Sequence, residues 1–467
     1  MHTTDIAIVG GGPAGAVAAR QLASRGYQVT LFEQTPFPRP RIGESIAAGV
    51  LPLLTSLELR DRIVATANPR NGRTRIHWQE DLVQDPDPER TGLLVDRGAF
   101  DKSLLEAAKE AGARIEQPAS VTDVDLATPE PTLTYQTNTT TATTRCSYLI
   151  DASGGAGLVP AKRELISAKT LATYAYAFPE AEPADFQTVV EACEWGWIWA
   201  ALLPSGKIAL AIFYDADNSD QLNATRHPET FLKTAASFRL IEPWLGKANL
   251  TSNPVICDAS SRLAAPLLGA NWIKIGDAAL TIDPLSSQGV SVAIRSAFQG
   301  ATIAHTLAQH PQRRGLATAF YRQRQHETVM HHAQSAGRMY AECQRFSDKP
   351  FWRRRTLEQA PNEVPTTKIP EDFRPDLKIR IAPSVRFVDC PILDGEFITS
   401  QLGVMSSGLN QPCPYLGKIA LDKLKDLEGR AFTLLAMTQH LQPLASQREQ
   451  FDLARWLWEH KIITAAN

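Results

Sequence analysis

The chain has 467 residues, of which 48 are Lys or Arg and 50 are Asp or Glu, so its formal net charge is -2. This length leaves room for roughly two or three domains, which excludes a small binding module, and the balanced charge excludes general attraction to nucleic acid or anionic membrane. The six cysteines form no CxxC pair, so neither a zinc or other metal site nor a dithiol redox motif is expected.

The hydropathy pattern does not predict membrane insertion. A strand-like run begins at residue 5, which leaves no room for a signal peptide, and no apolar stretch approaches the ~20 residues that cross a bilayer. We therefore expect a cytoplasmic protein with reduced cysteines, whose partners include neither nucleic acid nor membrane.

The N-terminal residues have the pattern of a dinucleotide-binding unit. The apolar run DIAIV (residues 5–9) leads into GGGPAG (10–15) and then into a stretch of helical composition. We expect Gly10 to permit a tight turn, Gly12 to let backbone amides approach a pyrophosphate, and Gly15 to let the helix pack close to the strand.

The next strand-like run, VTLF (29–32), ends at Glu33, about twenty residues into the unit. A carboxylate at this place accepts hydrogen bonds from a ribose 2′-hydroxyl, which favours FAD or NAD over NADP. A glycine-rich turn also occurs for purely structural reasons, but the strand, the helix and the acidic residue together favour nucleotide binding.

The segments that follow mix helical and strand patterns, as expected of an α/β domain. Helices are predicted at residues 47–59 and 100–111, where leucines recur at a spacing that suits packing on a sheet. Strands are predicted at residues 73–78, 113–116 and 148–151, with a hairpin at 132–144. His77, within the first of these strands, is a weak candidate for a catalytic base, and a structural role is the alternative.

Residues 162–259 have short strand patterns separated by loops, which predicts an inserted antiparallel sheet that roofs a ligand cavity. Trp195, Trp197 and Trp199 alternate in this segment, so their rings would share one face of a strand. Large rings side by side suit an aromatic substrate, and a packed core face is the alternative.

The nucleotide-domain pattern returns at residues 272–279, where an apolar run places Asp277 at the carboxyl end of a strand. Gly289 precedes a predicted helix at 291–307, whose N-terminus can stabilise negative charge on a reduced ring system.

The tail has a pattern of its own, with strands predicted at 379–397 and helices at 415–427, 431–441 and 447–463. We therefore predict an FAD-binding domain in two parts (1–161 and 260–345), an antiparallel substrate domain between them (162–259), and a linker with a mainly helical, winged-helix-like domain (346–467).

Three sequence blocks carry a family resemblance: residues 10–15 with Glu33, DASG at 151–154, and the stretch from Gly276-Asp277 to Asp283-Pro284. With these blocks the chain resembles the FAD-dependent monooxygenase superfamily, which is built on the glutathione-reductase type of Rossmann fold. The resemblance implies an α/β flavoprotein.

Four further segments are similar to the flavin-dependent tryptophan halogenases, to related hydroxylases and to the flavoproteins that mature tryptophylquinone cofactors. They are GES (43–45), GWIW (196–199), residues 283–289 and PFW (350–352). Halogenases of this branch use a lysine to activate hypohalous acid, located before the arginine matched here by Arg97. No lysine occurs from Ser45 to Phe100, which favours hydroxylation over halogenation.

The resemblance also implies a set of cofactor contacts. These are Gly10, Gly12, Ala14 and Gly15 with the pyrophosphate, Glu33 with the adenosine ribose, Arg41 and Arg97 with the FAD body, Asp277 with the ribitol, and Pro284, Gly289 and Val290 with the isoalloxazine edge. Because only one dinucleotide fingerprint is present, the electrons would come from transiently bound NAD(P)H or from a separate flavin reductase.

The sequence therefore predicts an FAD-dependent monooxygenase that hydroxylates an indole or a phenol, with Trp197 and Trp199 in the substrate pocket. The ring would be free or belong to a peptide, a protein or a carrier, as in tryptophylquinone maturation. The alternatives are a flavin-dependent halogenase and a flavoprotein that binds a ligand without turnover.

Overall fold

The computed structural model describes residues 2–39, 41–69, 74–79, 83–84, 92–179, 188–246, 248–356, 367–441 and 446–466. The chain divides into two compact units: residues 1–304 with 321–360 form the first, and residues 305–320 with 361–467 form the second. None of the helices in the described ranges combines the length and the apolar character that a membrane span requires.

A seven-stranded sheet in the first unit, the nucleotide sheet, is built around the N-terminal strand. In order across the sheet its strands are Arg114–Glu116, Val29–Phe32, His2–Val9, Thr141–Asp151, Thr132–Gln136 and Ser120–Asp125, with Trp272–Lys274 paired to Thr141–Asp151. His2–Val9 has parallel neighbours on both sides, and its last four residues are buried, as expected of a strand covered on both faces. Val9, Phe32 and Asp151 are register partners, so their strands end together at one edge.

Helix Pro13–Ser24 begins directly after the glycine turn at this edge. Pro13 occupies the first turn, where its missing N–H removes no helical hydrogen bond. A Cβ built at Gly15 would overlap the backbone oxygen of Gly10, so only glycine permits the helix to start this close to the strand. Outside the inserted segment 162–259, the other described α-helices up to residue 356 are Leu51–Ser56, Arg60–Val64, Arg97–Glu110, Gly289–Gln309, Arg314–Ala341 and Pro350–Thr356.

A second seven-stranded sheet, the roof sheet, contains the strands predicted within residues 162–259. Its order is Val255–Asp258, Thr170–Ala177, Ile208–Asp215, Gly196–Leu202, Thr188–Cys193, Thr74–His77 and Val83–Gln84. The inserted strands are antiparallel as predicted, but the sheet also includes Thr74–His77, which pairs parallel with Thr188–Cys193. Residue 73, the predicted start of that earlier strand, lies outside the described residues.

Three helices between the last two inserted strands were not predicted. They are Ser219–Arg226, Pro228–Ala236 and Glu242–Leu245. Phe231 and Trp244, from the second and third helices, pack in one apolar cluster with Ile198 and Ile212 of the roof sheet. The segment is therefore a sheet with helices on one face, and not strands and loops alone.

Two three-stranded sheets complete the first unit. One contains Ser45–Ile46, Leu93–Leu94 and Asn68–Pro69, and the other contains Lys162–Leu165, Arg262–Ala265 and Leu280–Thr281. The first sheet follows the loop at Gly43 and Glu44. The backbone N–H of Val95 donates to the backbone oxygen of Glu44 at 2.9 Å, which extends the pairing into this loop.

The second unit has its own apolar core but is not mainly helical. From residue 367 onward its described strands are Lys378–Ile381, Arg386–Asp394, Phe397–Met405, Tyr415–Leu416, Ile419–Ala420, Phe432–Thr433 and Ile463–Ala465, with helices Leu434–His440 and Gln447–Glu459. The predicted helix at 415–427 is wrong, because Gly417 adopts φ +58° and turns the chain into a short hairpin before a 3₁₀ turn at Asp422–Leu427. The composition is mixed α/β, and residues 357–366 of the predicted linker lie outside the described residues.

Candidate active site

A cavity of about 1410 Å³ lies in the first unit. It extends from the glycine turn at residues 10–12 to aromatic side chains of the roof sheet. Its volume exceeds the ~300–1,000 Å³ that is usual for a pocket holding one small ligand. The cavity therefore has room for a dinucleotide and for a second molecule.

The glycine turn faces this cavity. Gly10, Gly12 and Ala14 line it, and a Cβ built at Gly12 would meet no atom within 4 Å, which leaves open space where a phosphate fits. Gly10 has φ +106°, and a Cβ there would overlap the backbone oxygen of Ala152. Gly15, predicted as a pyrophosphate contact, is not among the described lining residues, and it positions the helix instead.

Glu33 is held in a fixed orientation at the end of strand Val29–Phe32. Its Oε2 accepts a hydrogen bond from the N–H of Gly11 at 2.7 Å, and its Oε1 accepts one from the N–H of Thr35 at 2.9 Å. Arg39 Nη2 lies 3.6 Å from the same Oε2. Since a carboxylate oxygen has two lone pairs, Glu33 can still accept the bond from a ribose hydroxyl that the resemblance implies.

A buried ion pair, which sequence analysis missed, organises the second glycine turn. Lys274 Nζ lies 2.9 Å from Asp151 Oδ2, and both side chains are almost fully buried. Asp151 also accepts hydrogen bonds from the N–H groups of Ser153, Leu158 and Val159 at 2.9–3.1 Å. These bonds satisfy the buried carboxylate and shape residues 154–157, which line the cavity. The available signal was a lysine within the apolar run WIKI (272–275).

Arg41 and Arg97, the two predicted contacts of the FAD body, both line the cavity. Arg97 donates from Nε and Nη2 to the two carboxylate oxygens of Asp101 at 3.0 and 3.1 Å, and from Nη1 to the backbone oxygen of Ile42 at 2.8 Å. Burial opposes its charged form, but Asp101, Glu44 and Asp277 together outweigh burial and raise the pKa of Arg97. Arg97 is therefore a fixed positive charge in the cavity wall.

The residues predicted to contact the flavin half lie along the same cavity. Asp277 is exposed and lines it, together with Pro284, Gly289 and Val290. Gly289 is the first residue of helix Gly289–Gln309, and a Cβ built there would meet no atom within 4 Å. The first N–H groups of an α-helix have no acceptor within the helix, so those at this helix start can bind a ligand.

The other end of the cavity is an aromatic chamber, formed by Trp78, Tyr174, Trp197, Trp199 and Phe213. Trp197 stacks on Phe213 with ring centroids 3.9 Å apart, and Trp78 meets Trp197 edge-on at 6.1 Å. Trp197 and Trp199, the predicted pocket residues, are alternate positions of strand Gly196–Leu202 and both line the cavity.

Trp195 does not share this face, so that part of the prediction is wrong. It lies in the turn before strand Gly196–Leu202 and packs against Phe238, with ring centroids 5.8 Å apart. Phe238 belongs to the apolar cluster in which the helices within residues 219–245 pack on the roof sheet. The alternation fails here because the strand pairing begins only after Trp195.

His77 is placed as a structural residue. Its Nδ1 lies 3.1 Å from Oε1 of Glu191, and its Nε2 lies 2.9 Å from Nη1 of Arg345. His77 is not among the described lining residues of the cavity, whereas the adjacent Trp78 is. With both ring nitrogens engaged away from the cavity, His77 is not favoured as a catalytic base.

Two features of the described lining were not expected from individual residues. Its basic side chains are all arginines and none is a lysine. Glu44 lines the cavity with a buried carboxyl group that accepts a hydrogen bond from the hydroxyl of Tyr176 at 2.6 Å. The Gly-Glu-Ser loop had been noted in the sequence, but nothing local indicated a tyrosine partner.

The arrangement fits FAD. Open space at Gly12 beside a helix start suits a pyrophosphate, the carboxylate of Glu33 suits the adenosine ribose, and the exposed carboxylate of Asp277 suits the ribitol hydroxyls. All three line one continuous cavity. FAD is long enough to contact all three residues at once, whereas a mononucleotide would reach only some of them.

Comparisons with known proteins agree with this fit. Residues 3–228 match the FAD_binding_3 family, described as FAD binding domain. Tryptophan 2-halogenase of Chondromyces crocatus is 28% identical over 336 residues, which cover 68% of this chain and 64% of that relative. The matched part of the chain thus spans less than two thirds of the relative's length.

Two solved structures share the fold over nearly the whole chain. The flavin-dependent halogenase CmlS has a TM-score of 0.79 at 21% identity, covering 100% of this chain and 96% of that one. The peptidyl tryptophan dihydroxylase QhpG, essential for tryptophylquinone cofactor biogenesis, has a TM-score of 0.74 at 24% identity, covering 98% and 99%. At these identities the likeness shows the fold alone. By the matched FAD binding domain and the halogenase relatives, the chain is similar to the halogenase-like branch of the FAD-dependent monooxygenases, and its cofactor is FAD.

Proposed function

We propose that this protein is an FAD-dependent monooxygenase that hydroxylates an aromatic ring, either an indole or a phenol. The observation that carries the proposal is the single cavity that joins the FAD-binding turn to the aromatic chamber. Bound FAD, once reduced, supplies two electrons and reacts with dioxygen. In sum, the ring C–H, dioxygen, two electrons and two protons give the ring C–OH and water.

The residues of the chain bind and shield the reactants. Gly12, Glu33 and Asp277 hold the cofactor along the edge of the nucleotide sheet, while the roof sheet covers the aromatic chamber. Trp197 and Phe213 present rigid stacked rings against which a flat substrate ring can be oriented. Exclusion of water protects reactive oxygen species from loss before transfer.

Halogenation is the second candidate, favoured by the names of tryptophan 2-halogenase and CmlS. Against it stands the described lining of the cavity, which contains no lysine. The sequence likewise has no lysine from Ser45 to Phe100, where the halogenase lysine is expected. We therefore prefer hydroxylation.

We further propose that the target ring is carried by a peptide, a protein or a carrier. Support comes from the name of the structural neighbour QhpG, which refers to a peptidyl tryptophan. Support also comes from the second unit, whose separate apolar core goes beyond what FAD binding requires. The competing proposal is that this unit closes over the flavin or mediates dimerisation. A lower KM for a tryptophan-containing peptide than for free tryptophan is expected, and equal KM values would contradict the carried substrate.

We propose the source of the electrons from the number of dinucleotide fingerprints in the sequence, which is one. Because the glycine turn at residues 10–15 is taken by FAD, NAD(P)H would bind only transiently, or a flavin reductase would deliver the electrons. Mixing the holoenzyme with NADH or NADPH under anaerobic conditions separates the two: direct bleaching of the flavin indicates transient binding, and its absence indicates a reductase.

The finer domain organisation is also a proposal. We assign residues 1–161 and 260–345 to a glutathione-reductase-type FAD domain, 162–259 to the inserted substrate domain and 346–467 to the linker with the C-terminal domain. The parallel pairing of Trp272–Lys274 with Thr141–Asp151 supports the return of the chain to the FAD domain.

The deciding experiment uses reduced holoenzyme, oxygen and candidate indoles or phenols, with and without halide, followed by mass spectrometry. Hydroxylation predicts a product heavier by one oxygen atom, formed independently of halide. A chlorinated or brominated product would instead establish the halogenase. Oxygen consumption no faster than that of free reduced flavin, without any product, would leave a flavoprotein that binds without turnover.

A further inference from the structure

Glu44 places a buried carboxyl group in the wall of the cavity. Its residue is 1% exposed, its Oε1 accepts the hydroxyl of Tyr176 at 2.6 Å, and its Oε2 accepts the N–H of Gly43 at 2.8 Å. The backbone on the other side of Glu44 is fixed by Val95, whose N–H donates to the Glu44 oxygen. Both the loop and the carboxyl group are therefore held in one position.

Tyr176 comes from strand Thr170–Ala177 of the roof sheet and packs with Leu203 and Ala209. Burial and the neighbouring Glu44 carboxylate both raise the pKa of Tyr176. Its hydroxyl therefore keeps its proton and acts as the donor toward Glu44. The bond joins the Gly-Glu-Ser loop to the roof sheet at the cavity wall.

The charges around Glu44 act in opposite directions. Burial raises the pKa of Glu44, while the hydrogen bond from Tyr176 and the positive charge of Arg97 oppose this rise without cancelling it. Arg97 is itself paired with Asp101, which limits its effect. On the roof side Tyr174 faces the same space, and burial raises the pKa of Tyr174 as well.

Arg39 and Arg41 lie in the segment before the loop and also line the cavity. So do Asp101 and Asp277, two carboxylates whose negative charges act on Arg97. Neither arginine of the segment forms an ion pair with Glu44 among the described residues, where the partner of Arg39 is Glu33. Glu44 is thus an acid that can stay protonated at pH values above ~4.3, the pKa of an exposed glutamate.

We propose that Glu44 holds and delivers the proton that the hydroxylation consumes, and that Tyr176 positions its carboxyl group. The inference rests on the proposed function. Anionic reduced flavin, dioxygen, the ring C–H and one proton give oxidised flavin, the ring C–OH and water. The O–O bond breaks and a C–O bond forms, and oxygen receives two electrons from the flavin and two from the C–H bond.

One proton must therefore reach the oxygen that is being reduced. Glu44 is a buried acid of the described lining, and it recovers its proton from solvent after each turnover. A purely structural Glu44 would only tie the loop to the roof sheet. In that case its replacement lowers stability without changing any proton-linked property of the bound flavin.

The test compares the holoenzymes of wild type, Glu44→Gln, Tyr176→Phe and Glu191→Gln. Glu191 is the matched control, because it is a buried carboxylate of the roof sheet, accepts the N–H of Leu240 at 2.8 Å and is not among the described lining residues. FAD affinity is measured by titration for each variant. We expect it to stay within about threefold, since a glutamine side chain can still accept the tyrosine hydroxyl.

The first readout is the pH dependence of the flavin reduction potential. Reduction adds negative charge to the cavity and so raises the pKa of a neighbouring carboxyl group, which takes up a proton. Between the pKa values that Glu44 has with oxidised and with reduced flavin, two-electron reduction takes up one extra proton. In wild type and Glu191→Gln the plot of reduction potential against pH should therefore be steeper in this interval, by about 30 mV per pH unit. The steep interval should vanish in Glu44→Gln. In Tyr176→Phe it should move to higher pH, because the lost hydrogen bond no longer lowers the pKa of Glu44.

The second readout is hydroxylated product per flavin oxidised. Loss of a proton donor should slow oxygen transfer to the ring by about 10²-fold in Glu44→Gln. The hydroxylated product per flavin oxidised should therefore fall, with the reduced oxygen released as hydrogen peroxide. The inference is overturned, with the proposed function intact, if Glu44→Gln keeps both the wild-type pH dependence of the reduction potential and the wild-type amount of product per flavin oxidised. If the wild type itself hydroxylates nothing, the proposed function fails, and the potential still reports on Glu44. Should Glu44→Gln not fold, an unmoved interval in Tyr176→Phe would overturn the inference.

Discussion

Trp197 and Phe213 are direct partners in the antiparallel register of the roof sheet, and their rings stack with centroids 3.9 Å apart and planes 14° from parallel. Both side chains line the cavity, and both are nearly fully buried. Such a pair stabilises the fold by about 0.5–1.5 kcal/mol beyond the burial of its area. The wall of the aromatic chamber is therefore rigid before any substrate binds.

Replacing Trp197 and Trp199 in separate variants should distinguish an effect on stability from an effect on substrate binding. Trp197→Ala removes a buried ring and should lower the free energy of unfolding by about 3–5 kcal/mol. Trp199 lines the same chamber but is only partly buried, so Trp199→Ala should cost less stability and mainly raise KM for an aromatic substrate. Urea denaturation and steady-state kinetics measure the two effects. Unchanged KM in Trp199→Ala would argue against the chamber as the substrate pocket.

Gly12→Val should abolish FAD binding without unfolding the protein. A Cβ at Gly12 meets no protein atom within 4 Å, so the added side chain enters only the space that the pyrophosphate needs. FAD titration and the melting temperature of the apoprotein test this together. Gly15→Ala is the control, because its Cβ overlaps the Gly10 backbone and should lower the melting temperature itself. FAD affinity of Gly12→Val equal to wild type would contradict the assigned turn.

Features that depend on residues close in sequence were predicted well. The turn at 10–15 and Glu33 lie within one strand-helix-strand unit, whose geometry the glycines and the carboxylate specify locally. Helix Gln447–Glu459 begins where predicted, because Ser446 and Glu449 form a reciprocal capping box. Three unpredicted helices near residues 219–245 also had a local signal, since Asn218 caps the first of them and Pro228 begins the second.

Features that depend on distant residues were not predicted. Lys274 pairs with Asp151, Tyr176 with Glu44 and His77 with Glu191, and in each case more than a hundred residues separate the partners. No periodicity or spacing encodes such a pair, because the parallel crossovers and the roof sheet bring the residues together. For this reason the sequence indicated the cofactor end of the cavity but not the groups that hold or move protons.

Burial of His332 predicts an acid-sensitive stability. Burial, with the nearby His331 and Arg295, lowers the pKa of His332 to about 4. In the unfolded chain its pKa is about 6.5, so the unfolded state binds the proton first as pH falls. The contribution of His332 to stability is therefore complete above pH ~6.5 and is lost progressively toward pH ~4.

His332→Gln should reduce this loss, which unfolding by urea at about pH 7.5 and about pH 5 will measure. His326→Gln is the matched control, because His326 is exposed on the same helix, Arg314–Ala341. The difference in unfolding free energy between the two pH values should shrink in His332→Gln and stay unchanged in His326→Gln. If the unfolding free energy depends equally on pH in wild type and in both variants, His332 is not the source of the acid sensitivity.

Arg355 and Asp215 form a buried ion pair that should matter more for stability than the surface pair beside it. Arg355 is 2% exposed, and its Nη1 donates to Asp215 Oδ1 at 2.7 Å while its Nη2 donates to the hydroxyl of Thr170 at 2.6 Å. The neighbouring Arg354 reaches Asp217 at 2.8 Å, in a pair that is largely exposed. Exposed pairs contribute about 0–1 kcal/mol, whereas removing one partner of a buried pair costs about 3–5 kcal/mol.

Asp215→Ala should therefore destabilise the protein by about 3–5 kcal/mol, because it leaves the Arg355 charge buried without its counter-charge. Asp217→Ala, the surface control, should cost less than about 1 kcal/mol. The double variant Asp215→Ala/Arg355→Met should recover much of the lost stability, since an apolar side chain at residue 355 can pack on Phe351, over which the guanidinium now lies at 3.6 Å. Urea denaturation of the four proteins measures these differences. If Asp215→Ala costs no more than Asp217→Ala, the buried charge is reached by water, and helix Pro350–Thr356 does not depend on this pair for its place on the roof sheet.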